Sequence, residues 1–209
     1  MKHILCYGDS NTFGSNPDGT LRLDIGIRWT SRLAQLLGED YRIIEEGCEA
    51  RTTVWEDNLE RNTNGYTYLP ACLSTHKPLD LVVIMLGTND LKTRFSLPVH
   101  DIADGAALLA KTVLSYPWGN YPTPQVLLVS PIHAGEGVDQ TIPCFGPDAP
   151  NRSLQFAGEY ARAAKEVGCA FLDAARYAKP SKLDHLHMDP DSHDALARAL
   201  AEKIKALLG

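Results

Sequence analysis

At 209 residues the chain has room for one well-buried core, and its composition, 44% hydrophobic and 22% charged, is that of an ordinary globular protein. A formal net charge of −6, with 20 basic side chains scattered among 26 acidic ones, leaves no basic stripe for a nucleic-acid backbone or an anionic lipid surface. No apolar run reaches bilayer-spanning length, and the N-terminus lacks the basic start and small-residue cleavage site of a secretion signal, so the expectation is a cytoplasmic protein without membrane association.

The first element is a short apolar run, His3 to Tyr7, that stops at Gly8-Asp9-Ser10-Asn11, with a second glycine at Gly14. The pattern predicts a buried strand delivering Ser10 to the sheet edge where open α/β folds bind ligands, although the same four residues are good turn chemistry in any protein. Ser15 to Arg28, rich in Asn, Pro, Asp and Gly, predicts an irregular loop over that edge. Trp29 to Leu37 has helical spacing and stops at Gly38, which gives a first crossover helix. Tyr41 to Ile44 reads as a second strand that empties into a loop from Glu45 to Thr53 on the same edge. Val54 to Tyr68 reads as a loop with at most a short helix, and Leu69 to Thr75 as a helix.

Leu79 to Leu86 is nearly continuous apolar with β-branched residues at its centre, the pattern of a strand covered on both faces, and it ends in Gly87-Thr88-Asn89-Asp90. Val99 to Tyr116 predicts a long helix closed by Pro117, and Gln125 to Val129 a fourth strand. His133 to Arg152 has several Gly and Pro and little periodicity, so it reads as a long loop: a lid, a binding wall or an assembly element. Ser153 reads as the cap of a helix that closes at Gly168, Cys169 to Leu172 as a fifth strand, and Asp194 to Leu208 as a last helix. The alternation predicts one three-layer α/β domain over residues 1–209, with a parallel sheet of about five strands and right-handed crossovers.

Three predicted strands end in small and polar residues on one edge, and the last loop supplies what a serine needs. A hydroxyl is a poor nucleophile at neutral pH; it requires an imidazole to take its proton and a carboxylate to fix the ring's tautomer. Asp184 and His187 are spaced to lie on one turn of chain and provide both. The Ser10 and Ala50 amides and the Asn89 side chain are candidate donors to an oxyanion, each worth about 3 kcal/mol in a transition state. Two competing readings stand beside this one. Asp184, His185, His187, Asp189, Asp191 and His193 also resemble a metal-ligand cluster, although Asp and Ser at a helix start serve as caps. The glycine turns also suit a flavodoxin-like ligand-binding module, but none has phosphate-binding spacing, and Asp9, Glu45, Glu46 and Asp90 near the mouth would repel phosphate. The five cysteines are widely spread, with no pair at zinc or redox spacing, and read as small core residues.

Gly8-Asp9-Ser10-Asn11, Gly87-Thr88-Asn89-Asp90 and Asp184-His185-Leu186-His187 resemble, in order and spacing, three sequence blocks of the SGNH (GDSL-type) hydrolases. The likeness runs along nearly the whole chain. Through Glu45-Glu46-Gly47, Ala50 to Thr53 and Leu79 to Asp90 it is closest to the arylesterase/acyltransferase branch known from a mycobacterial enzyme. The resemblance implies a flavodoxin-like α/β/α fold and a serine esterase of short acyl esters, without metal or organic cofactor, that sometimes transfers acyl groups to alcohols. A sugar acetate suits it as well as an aryl ester. It assigns Ser10 as nucleophile, His187 as general base and then acid, Asp184 as its orienting partner, and Ser10, Ala50 and Asn89 as the oxyanion hole. Phe13 stands where relatives carry tryptophan and is expected to line the acyl pocket, while Asn11 replaces the name-giving leucine and is expected to face away from the chemistry. Ala50 replaces a glycine and would be strained at a positive φ. Asp9 and Thr12 are expected to brace the serine turn and Asp90 to tie neighbouring loops. The branch also implies a homo-oligomer.

Overall fold

The structure is a computed structural model that describes residues 1–209. Five strands alternate with helices: β1 (Lys2–Gly8), β2 (Tyr41–Gly47), β3 (Leu81–Met85), β4 (Gln125–Ser130) and β5 (Ala170–Asp173). They form one all-parallel sheet in the order β2-β1-β3-β4-β5. The helices are α1 (Ser10–Phe13), α2 (Trp29–Leu37), α3 (Gly65–His76), α4 (Val99–Ser115), α5 (Val138–Thr141), α6 (Ala149–Ser153), α7 (Phe156–Val167) and α8 (Pro190–Leu208).

Side chains alternate across the sheet and each face has its own core. Ile4 and Cys6 of β1 join Val83, Val129 and the apolar stripes of α2 and α8, while Leu5 and Tyr7 join Val82, Leu128 and those of α3, α4 and α7. All five residues of β3 are buried, as expected of a strand covered on both sides. Gly8 pairs with Gly47 of β2 and with Met85 of β3, so the loops after these three strands leave the sheet at one level. No helix is long and apolar enough to cross a membrane.

Several boundaries differ from the sequence reading. β2 runs on through Glu45 and Glu46 to Gly47, because both carboxylates are satisfied by neighbouring cations and hydroxyls and need not leave the strand. α3 begins early, at Gly65, where the Asn64 side chain accepts from the Tyr66 and Thr67 amides at 2.9 and 3.2 Å. The 133–152 segment folds into α5 and α6, each too short to show a period. Ser153 is not a cap: it ends α6, with its hydroxyl donating to Pro150 O and accepting from Ala134 N, and α7 starts at Phe156. α8 starts four residues before the expected Asp194, because Asp189 caps it through the Ser192 amide at 2.9 Å.

Candidate active site

The turn after β1 is fixed by its own residues. Asp9 caps α1 by accepting the Asn11 amide at 3.0 Å, and Gly14, at φ +86°, ends the helix after a single turn. The cramped approach of this turn to β2 requires glycine, since a Cβ on Gly47 would lie 2.1 Å from Phe13 N. Thr12 packs over Gly8 in the same way. Ser10 opens α1, so its N–H has no carbonyl a turn behind it.

From the other end of the chain, residues 184–187 fold around one carboxylate. Asp184 Oδ1 accepts the Leu186 and His187 amides at 2.9 and 3.0 Å, and Oδ2 lies 2.5 Å from His187 Nδ1. Burial alone would raise the Asp184 pKa, but the His187 ring and the two amides outweigh it and hold the carboxyl below its ordinary value. An ionised Asp184 keeps the ring proton on Nδ1, which leaves Nε2 as an acceptor. Nε2 lies 2.9 Å from Ser10 Oγ, so the structure brings together Ser10, His187 and Asp184.

The same loop is braced from two sides. Gly135 N donates to His185 O and the Thr141 hydroxyl to Asp184 O, both at 2.7 Å, so the 133–152 segment backs the histidine loop. His185, at φ +63°, packs its ring over Gly135 and Gly137. The second brace corrects an expectation. Asn11 does not face away: its amide donates to Leu186 O at 3.3 Å and its carbonyl accepts Met188 N at 2.9 Å, so it grips the backbone on both sides of His187.

The other candidate donors stand on the loops after β2 and β3, which leave the sheet at the level of Gly8. Ala50 has φ +61°, so the condition under which alanine would be strained is met, and its N–H has no backbone partner. One Asn89 amide hydrogen goes to Arg51 O at 3.2 Å, which aims the side chain and leaves the second hydrogen available. Buried Arg51, which the sequence reading passed over, donates to Gly8 O at 3.0 Å and to Glu46 O, joining the loops that carry Ser10 and Ala50. Asp90 ties loops as expected, accepting the Thr53 amide and, at 2.5 Å, its hydroxyl. Burial pushes the Asp90 carboxyl up to about 7, with Asp9 adding to the rise, and burial likewise pushes Asp9 up to about 6.

A cleft of about 430 Å³ opens beside His187, with Phe13 in its wall under the Arg22 guanidinium, 3.9 Å above the ring centroid. The rest of the wall is mostly polar, including Asn16, Thr20 and the hydrogen-bonded pair Ser15 and Glu49. Glu45 and Glu46 turn to opposite faces of the sheet, Glu45 toward Arg22, Arg28 and Thr30, and Glu46 toward His76.

The Asp184–His193 run does not converge as a ligand set. Asp189 caps α8, and His193 is buried with Nδ1 accepting Trp29 N at 3.2 Å. Burial pushes the His193 ring down to about 4.

Comparison with known proteins identifies the family. A sequence model of the GDSL-like lipase/acylhydrolase family matches residues 6–195. An inhibitor-bound M. smegmatis aryl esterase is 39% identical with a TM-score of 0.94, and Est24, a carbohydrate acetylesterase from Sinorhizobium meliloti, is 36% identical with a TM-score of 0.94. Both alignments cover 100% of each chain. A lipase/acylhydrolase from Enterococcus faecalis, at 19% identity, TM-score 0.71 and coverage of 100% of this chain and 98% of its own, shares the fold. No curated protein sequence matches significantly. By its sequence over most of its length and by its backbone, this chain belongs to the GDSL-like lipase/acylhydrolase family of ester hydrolases.

Proposed function

We propose that residues 1–209 form one catalytic unit, a serine esterase that hydrolyses short-chain aryl or alkyl esters through an acyl-enzyme. The observation that carries this reading is the relay from Ser10 Oγ through the His187 ring to Asp184, at 2.9 and 2.5 Å. His187 Nε2 takes the hydroxyl proton as Ser10 Oγ attacks the ester carbonyl, and Asp184 stabilises the imidazolium that forms. The negative oxygen of the tetrahedral intermediate is held by the Ser10 and Ala50 amides and the Asn89 side chain. As the intermediate collapses, His187 returns the proton to the departing alcohol. Water, or a second alcohol in an acyl transfer, then attacks the acyl-Ser10 ester with His187 again as base. Phe13 packs against the acyl group. These steps use side chains and backbone amides only, with no cofactor or catalytic metal.

The polar wall of Ser15, Asn16, Thr20 and Glu49 favours a second reading of the same chemistry, a carbohydrate O-acetylesterase, since hydroxyl-rich alcohols need such partners. Five unpaired cysteines suit a reducing cytoplasm, and Leu21 and Ile25, exposed on the loop beside the cleft, suit burial against a second copy in a homo-oligomer. Ser10→Ala should abolish p-nitrophenyl acetate hydrolysis without changing the thermal midpoint by more than a few degrees. Retained turnover would end the serine reading. An ester panel run on the wild type, from aryl acetates to acetylated sugars, separates the two substrate classes.

A further inference from the structure

Glu46, Cys72 and His76 converge on the face of the sheet that carries α3, with one ligand atom from each within 4.8 Å of the other two. None of the three lines the cleft beside His187. Cys72 and His76 are four residues apart on α3 and stand on one helix face, while Glu46 reaches them from the end of β2. His76 Nε2 and Glu46 Oε1 are 2.7 Å apart, and the Tyr68 hydroxyl donates to the other carboxylate oxygen at 3.3 Å. Cys72 is buried, but the His76 and Glu46 side chains remain 23% and 19% exposed, so the cluster can be entered from solvent.

The geometry points to a binding site for a borderline divalent cation of the zinc type, held by Cys72 Sγ, His76 Nε2 and a Glu46 oxygen. The Tyr68 hydroxyl or water takes the fourth position. A thiolate, an imidazole and a carboxylate are the donors zinc prefers, whereas magnesium and calcium take oxygen sets. Metal–ligand bonds of about 2.0–2.3 Å place tetrahedral ligands about 3.3–3.8 Å apart. The His76–Glu46 pair therefore opens by a fraction of an ångström, and the sulfur closes by at most about 1.5 Å. The cation replaces the hydrogen between His76 and Glu46, whose ring proton moves to Nδ1, and the Cys72 proton leaves to solvent. Thiolate and carboxylate cancel the charge of the ion, leaving a neutral complex beside the Arg51 guanidinium, which lies 4.3 and 5.2 Å over the Tyr7 and Tyr68 rings. A bound cation would clamp the end of β2 to α3. The inference does not depend on the esterase reading.

The test is titration of the metal-stripped protein with Co²⁺, followed by competition with Zn²⁺. Wild type should take one equivalent, showing the visible bands of a tetrahedral cobalt site and the near-ultraviolet charge-transfer band of a cobalt–thiolate bond, both lost on adding Zn²⁺. Cys72→Ser should lose the thiolate band, and His76→Gln should weaken Zn²⁺ binding at least tenfold, as should Glu46→Gln. His76 lies partly at the surface, so His76→Gln decides the matter if Cys72→Ser does not fold. His100→Gln, an exposed histidine elsewhere, should leave binding unchanged. Absence of the thiolate band in wild type, or Zn²⁺ affinity unaltered within twofold in His76→Gln, would overturn the site.

Discussion

Replacing Asn11 by leucine, the residue that names the family motif, tests whether the grip on His187 is functional. The Asn11 side chain is buried, donates to Leu186 O at 3.3 Å and accepts from Met188 N at 2.9 Å. Leucine can make neither bond, and two backbone groups lose their partners in a space closed to water. Each orphaned group costs about 1–3 kcal/mol, so about 2–6 kcal/mol is expected in all, which lowers Tm by about 4–24 °C for a chain of this size. His187, the proposed base, sits between the two bonds, and a misplacement of about 1 Å at such a group costs about a hundredfold. Asn11→Leu should therefore lower kcat for p-nitrophenyl acetate by about 10- to 100-fold at a temperature where the variant is folded, with KM changed less than about threefold. Asn11→Ala leaves room for water to replace one bond and should lose less stability while keeping most of the kcat defect. Thermal melts and steady-state kinetics on both variants decide the issue. A lower Tm with wild-type kcat would reduce Asn11 to glue between two loops and refute its role in holding the histidine.

Asn89→Ala should lower kcat about a hundredfold with little change in KM, because in the proposed mechanism its free amide hydrogen meets the substrate oxygen only as charge develops; a loss confined to KM would make it a ground-state contact. Ala50→Gly should raise stability by up to about 1 kcal/mol in chemical denaturation, because relief of the φ +61° strain exceeds the added freedom of the unfolded chain, with kcat preserved. His193 titrates near 4 when folded, below the ordinary 6.5, so between these pH values the unfolded chain holds the extra proton and stability rises with pH. That contribution, on the order of 3 kcal/mol, is complete above pH 6.5 and lost by pH 4. His193→Gln should flatten this limb of the pH–stability curve. The buried Asp9 and Asp90, with folded pKa values of about 6 and 7 against 3.8, act with the opposite sign, favouring the folded state as pH falls from 7 toward 4.

The five strands and their order along the chain were legible, though not every strand end, because a buried parallel strand leaves few alternatives: Leu79 to Leu86 could hardly be anything else, and Gly-Asp-Ser-Asn must turn. What escaped depends on partners far along the chain. Nothing local to Asn11 tells that its amide meets Leu186 and Met188, since the contact exists only once residues 175 and 177 positions away arrive. Glu45 and Glu46 read as loop because charge argues against a strand until Arg28 and His76 are seen to face them. Short α5 and α6 carry too few turns for a period to show, although Pro150 just inside the start of α6 was a usable signal. Cys72 and His76 carry no local signal of a cluster, because Glu46, the residue that joins them, comes from β2 and meets them only in the fold.

The way the histidine loop is anchored has a consequence for the order of assembly. The 184–187 turn is held from one side by α5 at Asp184 O and leads into α8, which docks on α2 as His193 accepts from Trp29 N and Asp194 from Arg32. Until α8 docks, β1 to β4 can assemble, but the imidazole has no fixed address. Docking of the last helix on α2 is thus the step that sets the histidine, and a variant cut before α8 should keep most of the sheet yet be inert toward esters.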